Sequence, residues 1–394
     1  MYAPRFAPLL LTSLFALACA DDATEGGSGT ETGDPTSESS GETSSSSGDG
    51  DGDPTGDGDG DPATGDGDGD PTTTGDGDGD PTGDGDGDPT GDGDGDSSLD
   101  DFLTLDHVQV KGTHNSYHIQ PLIPFDASHE YTHPSLDVQL EDHGVRAFEI
   151  DLHRDGDELL VYHIFVIDQE TTCDTLVDCL TTIDNWSDNN PDHVPIMVWF
   201  EIKDSTGGSP IDDLLLVDQT ILEVFEPNEI LTPDSVRGEY GSVREALETE
   251  GWPTLGEVRG KVMFMILNGG HESVGPYVSG ETSLLGRMMF VGTGDYEAPY
   301  AAVHKINDPG SDQIAVAHAA SVLTASNTCG AGQSDETCFA KLDDGLMTGT
   351  HNLMDDFLEP GDGAYFLDLP DGNPVRCNDA TAPPECTAEA LESL

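Results

Sequence analysis

From about residue 105 onward, short apolar runs alternate with amphipathic stretches. Residues 107–112, HVQVKG, alternate apolar and polar positions as a half-buried strand does. Residues 145–151, VRAFEID, form a second strand, and 159–162 a short third one that ends at His163. Residues 194–202, VPIMVWFEI, and 261–267, KVMFMIL, are near-continuous apolar runs, the mark of strands covered on both faces. Shorter strands are predicted at 288–291, 301–306, 321–325 and 345–348, and a late one at 365–369. Helical spacing falls between them, at 134–143 with Gly144 as its cap, 180–186, 211–225 and 242–248. Strands that alternate with helices predict a parallel α/β fold. About eight strands in roughly 300 residues suit a closed TIM-type (β/α)8 barrel, and polar residues gather where such barrels carry their sites, at the C-terminal strand ends. An open doubly wound sheet is the alternative, but no glycine-rich phosphate loop follows the first strand.

The stretch before residue 98 reads differently. Residues 1–18 carry Arg5 and then an apolar run from Leu9 to Leu17, the layout of a secretory signal too short to span a bilayer. Ala16-Leu17-Ala18-Cys19 resembles a lipoprotein signal, in which Cys19 would be lipidated. The expected location is therefore export, either anchored to a bacterial envelope or secreted. Residues 19–97 are Gly, Asp, Ser, Thr and Pro with repeats of GDGDGDPT, too polar to offset their ordering entropy, so a disordered acidic linker is expected. DGDGD resembles part of a calcium loop, but no glutamate follows at the EF-hand spacing. One domain is expected over 98–394.

Charge narrows the partners. The chain carries 79 acids against 13 Lys and Arg, a formal net charge of −66. The first 97 residues hold 25 of those acids and a single base, leaving 54 acids against 12 bases for the domain. Nucleic acid, which needs basic surface, is excluded as a partner. Apart from Cys19, six cysteines fall into close pairs: Cys173 with Cys179, Cys329 with Cys338, and Cys377 with Cys386. Three local disulfides are expected, in keeping with export. A zinc ribbon would need tighter gaps. A monomer is expected.

Four strand ends carry chemistry: His114 and Asn115, Glu149 and Asp151, His163, and Glu201 with Lys203. One amide oxygen and three carboxylates make an oxygen-only set, which suits Ca2+ rather than zinc. The histidines are then free for proton transfer. Lys203 lies on the face of Glu201, where it meets either a substrate phosphate or the neighbouring acids.

GTHNSY at 112–117, FEID at 148–151, YH at 162–163 and FEIK at 200–203 resemble the calcium-dependent phosphatidylinositol-specific phospholipases C, above all their secreted bacterial branch. The likeness continues through YTHPSLDVQLEDHGVRAFEIDL, through HKINDP at 304–309 and through the tail at 369–386. It implies a distorted barrel, with Asn115, Glu149, Asp151 and Glu201 as calcium ligands and His114 and His163 as catalytic histidines. It implies attack of the inositol 2-hydroxyl on phosphorus at a membrane surface, with Glu149 or Glu201 taking the proton, His163 protonating the leaving oxygen and Asp151 orienting His163. One segment departs from the pattern. Where bacterial relatives carry an arginine near the seventh strand, this chain has Leu323-Thr324-Ala325-Ser326-Asn327. Lys305 either compensates, as a substrate-binding group, or is a surface lysine.

Rival readings are weaker. His129-Glu130-Tyr131-Thr132-His133 matches the zinc-protease signature, but Pro134 and a poor helical context place it in a loop. His118, His153 and His271 read as ordinary polar positions, and His351-Asn352 has no assigned role. A glycerophosphodiester phosphodiesterase would carry Arg-Gly after its first-strand histidine, where this chain has Asn115-Ser116. A calcium-dependent surface-binding module would not need two histidines.

Overall fold

The computed structural model describes residues 97–203, 210–278, 284–360, 363–370, 374–388 and 391. The expected signal segment, Cys19 and the linker to residue 96 lie outside the described residues. Ten strands follow in chain order: β1 Val108–Thr113, β2 Ala147–Asp155, β3 Glu158–Val161, β4 Ile196–Ile202, β5 Val262–Ile266, β6 Met289–Val291, β7 Val303–Lys305, β8 Leu323–Cys329, β9 Asn352–Asp355 and β10 Val375–Cys377.

Eight of them form a parallel sheet in the order β6-β5-β4-β2-β1-β9-β8-β7. The ends of that order meet at a single parallel bridge, Gly292 with Val303, so the barrel is nearly closed, with a thin seam between β6 and β7. β3 pairs antiparallel with the far end of β2, and β10 pairs antiparallel with the start of β1.

Alternation along each strand separates two cores. Phe148, Ile150, Val198, Phe200 and Phe264 pack with Leu176, Leu180, Ile183, Val217 and Ile221, which lie on the helices Leu176–Asn189 and Leu215–Val224. This is the outer layer. Val108, Val110, Ala147, Met197, Trp199, Met263, Met265, Val303 and Met354 belong to the other cluster, which fills the barrel. Trp199 Nε1 donates to Asn352 Oδ1 at 2.8 Å, joining β4 to β9 across the interior, since those strands are not neighbours. Full burial of each such large apolar side chain contributes about 1.5–3 kcal/mol.

Gly112 reflects how tightly the interior packs. A Cβ there would lie 2.5 Å from Met354 Sδ and 3.0 Å from Ala147 Cβ. The helix Leu136–Glu141 leads into a turn at Gly144, whose φ of +67° requires glycine.

Two expected strands are not strands. Residues 345–348 form the last turn of the helix Asp335–Thr348, and the eighth barrel strand is β9, immediately after it. Gly345 is buried there, and the absent Cβ lets Leu353 close on the helix. Residues 365–369 run without strand pairing, and β10 follows them.

All three expected disulfides form. Cys173 bonds to Cys179 and ties the loop after β3 to the helix Leu176–Asn189. Cys329, the last residue of β8, bonds to Cys338 in the first turns of the helix Asp335–Thr348. Cys377, the last residue of β10, bonds to Cys386 and closes the tail.

Candidate active site

Strand alternation builds the site one step above the packed interior. On β1 the inward series Val108, Val110, Gly112 continues to His114. On β2 Ala147 is followed by Glu149 and Asp151, and on β4 Met197 and Trp199 by Glu201 and Lys203. On β7 Val303 leads to Lys305, and on β9 Met354 leads to Asp356. The register places Asp151 directly beside Glu201 and Glu149 beside Trp199. Carboxylate oxygens of Glu149, Asp151 and Glu201 all lie within 4.8 Å of one another.

The turn after β1 is tied to β2. Ser116 N donates to Glu149 O at 2.8 Å, and Glu149 N donates to Ser116 Oγ at 2.8 Å. Asn115 adopts φ +43°, a left-handed conformation that asparagine tolerates better than most residues. Its Nδ2 donates to the Tyr131 hydroxyl at 3.1 Å, and its Oδ1 lies 3.5 Å from the Tyr117 hydroxyl.

Two lysines enter the acidic cluster. Lys203 Nζ stands 3.0 Å from Glu201 Oε1 and 3.3 Å from Asp151 Oδ2. Lys305 is nearly buried and pairs with Glu149 Oε2, so it is not a surface lysine. Both Asp151 oxygens are buried, and beyond the Lys203 ion pair and the neighbouring Tyr117 hydroxyl neither has a well-formed hydrogen bond. Three carboxylates facing two ammonium groups leave the cluster acidic, and its donors are all oxygen. That set fits a hard divalent cation, with Asp151 as the ligand most in need of one.

Electrostatics divide the acids. Burial pushes Asp151 up to about 6 and Glu201 up to about 7, Asp151 adding to the shift on Glu201. Burial would also raise Glu149, but Lys305 and His114 outweigh it and hold Glu149 below the usual carboxylate range. His114 Nδ1 lies 2.8 Å from Asp356 Oδ1, and its Nε2 lies 4.0 Å from Glu149 Oε1. Burial would lower the His114 pKa, but Asp356 and then Glu149 raise it to about 9.

The second histidine is oriented by a different acid from the one expected. His163 Nδ1 lies 2.8 Å from Asp168 Oδ2, whereas Asp151 faces Lys203. The hairpin of β2 and β3 returns the chain to the level of Asp151, and the loop after it folds back through the Ile164–Asp168 bridge to supply Asp168 to His163. His118 is no ordinary polar position either: it is fully buried, with Nε2 at 3.0 Å from both Asp168 oxygens. Asp168 and His118 lacked any periodic signal, and Asp356 was missed because the eighth strand was expected at 345–348 rather than at β9. His129 lies in a single 3-10 turn and faces Asp168, while His133 faces the His114 carbonyl, so the two do not share a helix face as a zinc protease requires. Asn352 is a buried structural residue of the barrel interior, and His351 is buried on the other face against Thr324 and Asp106.

Known proteins share this fold. The profile of the family described as "Phosphoinositide phospholipase C, Ca2+-dependent" matches residues 103–158 and 157–379. No curated protein sequence matches significantly. Among solved structures, the calcium-dependent phosphoinositol-specific phospholipase C of a Pseudomonas species aligns at TM-score 0.51 and 16% identity, over 71% of this chain and 96% of that one. The Ca2+-dependent phosphatidylinositol-specific phospholipase C of Streptomyces antibioticus aligns at TM-score 0.51 and 16% identity, over 65% and 95%. At that identity these two support the fold, and the family rests on the profile, which spans most of the domain. The chain therefore belongs to the Ca2+-dependent phosphoinositide phospholipase C family and is an enzyme of the phosphoric-diester-cleaving class.

Proposed function

We propose that this enzyme cleaves the phosphodiester of phosphatidylinositol by internal attack of the inositol 2-hydroxyl, giving diacylglycerol and a cyclic inositol phosphate. The observation that carries this reading is the carboxylate cluster of Glu149, Asp151 and Glu201 beside a histidine held by its own aspartate. Asn115, Glu149, Asp151 and Glu201 would hold calcium, whose chemistry is to polarise a phosphoryl oxygen and lower the pKa of a bound hydroxyl.

The protein groups divide the remaining work. Glu201, the most open of the three carboxylates, is suited to take the 2-hydroxyl proton as the new oxygen–phosphorus bond forms. His114, raised to about 9, is cationic at neutral pH and stabilises the charge that grows on the phosphoryl oxygens. His163, oriented by Asp168, donates a proton to the glycerol oxygen as its bond to phosphorus breaks. Lys203 and Lys305 stand where a phosphate oxygen could exchange with a carboxylate partner. Within β8, Asn327 Oδ1 is buried without a hydrogen-bond partner and offers an acceptor to a sugar hydroxyl.

The surroundings support action on lipid. Leu122 is 98% exposed and Ile123 82%, on the loop that follows β1, and Phe165 and Val166 are exposed just beyond His163. Apolar side chains on the loops that carry the histidines suit a membrane interface. Export is part of the same proposal, supported by the three disulfides.

The test is release of water-soluble phosphate ester from phosphatidylinositol vesicles with calcium, compared with glycerophosphodiesters. Preferential cleavage of the vesicles, lost in His114→Ala, is expected. Preferential cleavage of the glycerophosphodiesters would overturn the substrate assignment.

A further inference from the structure

A second group of ligating side chains lies beside the mouth of the barrel, and the reaction above uses only one of its histidines. Asp168 is fully buried, and three imidazoles converge on it. Its Oδ2 lies 2.6 Å from His129 Nδ1, 2.8 Å from His163 Nδ1 and 3.0 Å from His118 Nε2. Three imidazole nitrogens at hydrogen-bonding distance from one carboxylate, two of them on Oδ2 and the third shared between both oxygens, converge as ligands do around an ion.

His118 adds an independent argument. Its Nδ1 lies 3.1 Å from the Tyr131 carbonyl, an acceptor that requires the proton on Nδ1. In the neutral ring Nε2 then carries the lone pair, and that lone pair points at both carboxylate oxygens of Asp168. A cation has to stand between them. A proton would satisfy His118 alone, whereas a metal ion would gather His129 and His163 as well. Imidazole nitrogens with one carboxylate form a zinc-type donor set, unlike the oxygen-only cluster of Glu149, Asp151 and Glu201. A backbone carbonyl on the outer nitrogen is also the usual device for fixing a ligating histidine.

We propose that His118, His163 and Asp168, completed by His129, form a second metal site for a divalent ion of the zinc class. Ligand atoms of the first three lie within 4.8 Å of one another, and His129 reaches the same Asp168 oxygen. Zinc bonds of about 2.0–2.1 Å require only a modest opening of the present nitrogen–oxygen spacings. The site joins two loops: His118 and His129 follow β1, and His163 and Asp168 follow β3. Those loops carry Leu122, Ile123, Phe165 and Val166, so the ion would fix the exposed apolar rim and seat His163.

The test is spectroscopic and independent of lipid cleavage. Tag-free full-length protein is stripped with 1,10-phenanthroline, desalted and titrated with Co2+ in excess Ca2+. Visible absorption bands of a four-coordinate ion are expected to saturate at one equivalent and to be displaced by one equivalent of Zn2+. His118→Ala and Asp168→Asn should abolish the bands and His129→Ala should weaken them, while Asp151→Asn should retain them. If the parent protein gives only the spectrum of hydrated cobalt, the cation at Asp168 is a proton and the proposal fails. Bands that persist unchanged in soluble His118→Ala and Asp168→Asn would place the metal elsewhere and equally overturn it.

Discussion

His114 takes its role from one distant neighbour. Asp356 lies 242 positions away in sequence and 2.8 Å away in space, and it overrides the burial that would otherwise neutralise the ring. Because the folded pKa is raised, the stability contributed by this pair is complete below the ordinary histidine value and is lost as pH rises through about 9. Asp356→Asn should therefore move the alkaline limb of the kcat profile down from about 9 towards the ordinary histidine value. An unmoved limb would take Asp356 out of that role. Asp151 and Glu201 are raised by burial itself, to about 6 and about 7, and are protonated as pH falls through those values. Calcium affinity should weaken steeply between about pH 7 and 5, which calorimetric titration would reveal, and Asp151→Asn or Glu201→Gln should abolish tight binding at about pH 7.5. The residues that alternation carries to a strand end were legible in the sequence: His114, Glu149, Asp151 and Glu201. Asp168 was not, because nothing local in a chain marks which loop will close on which histidine, and Asp356 was hidden by the misplaced eighth strand, whose true position at β9 sets it beside His114.

At the scale of elements, the barrel was legible where burial is one-sided or complete. The runs at 194–202 and 261–267 appear as β4 and β5, and VRAFEID appears as β2. The short cysteine spacings were equally legible, because Cys179, Cys338 and Cys386 each lie too near their partners for the chain between to do more than close a small loop. The error at 345–348 has a physical origin. GLMT is short and apolar like a strand, yet Ser334 caps a helix with Asp335 and Glu336 in its first turn, and Gly349 ends it at φ +79°. Those cap signals, read together, identify one helix from 335 to 348. The close approach at Gly112 yields a further expectation. Gly112→Ala places a methyl group against Met354 and Ala147 and should cost about 1–3 kcal/mol in chemical denaturation, through overpacking. A change below about 0.5 kcal/mol would mean that the interior above β1 yields more readily than its distances imply.

On the scale of the whole molecule, charge and apolar rim oppose each other at an anionic membrane. A chain of net charge −66 would be repelled by an anionic phosphatidylinositol surface, so the proposed docking would rest on apolar contacts and on the divalent ion. Vesicle binding at fixed calcium should rise with added salt, which screens the repulsion, rather than fall. Replacing Leu122 and Ile123 together by Asp should lower cleavage of vesicles by at least about tenfold through lost apolar burial, with turnover of a soluble short-chain substrate unchanged. The central claim is that the carboxylate cluster and its two aspartate-held histidines drive attack by the inositol 2-hydroxyl. Phosphorus NMR of phosphatidylinositol incubated with the protein, with calcium and then with chelator, tests this most directly. The account predicts a calcium-dependent cyclic phosphodiester signal as the first product. An acyclic phosphomonoester appearing first, or the same product with calcium removed, would contradict it.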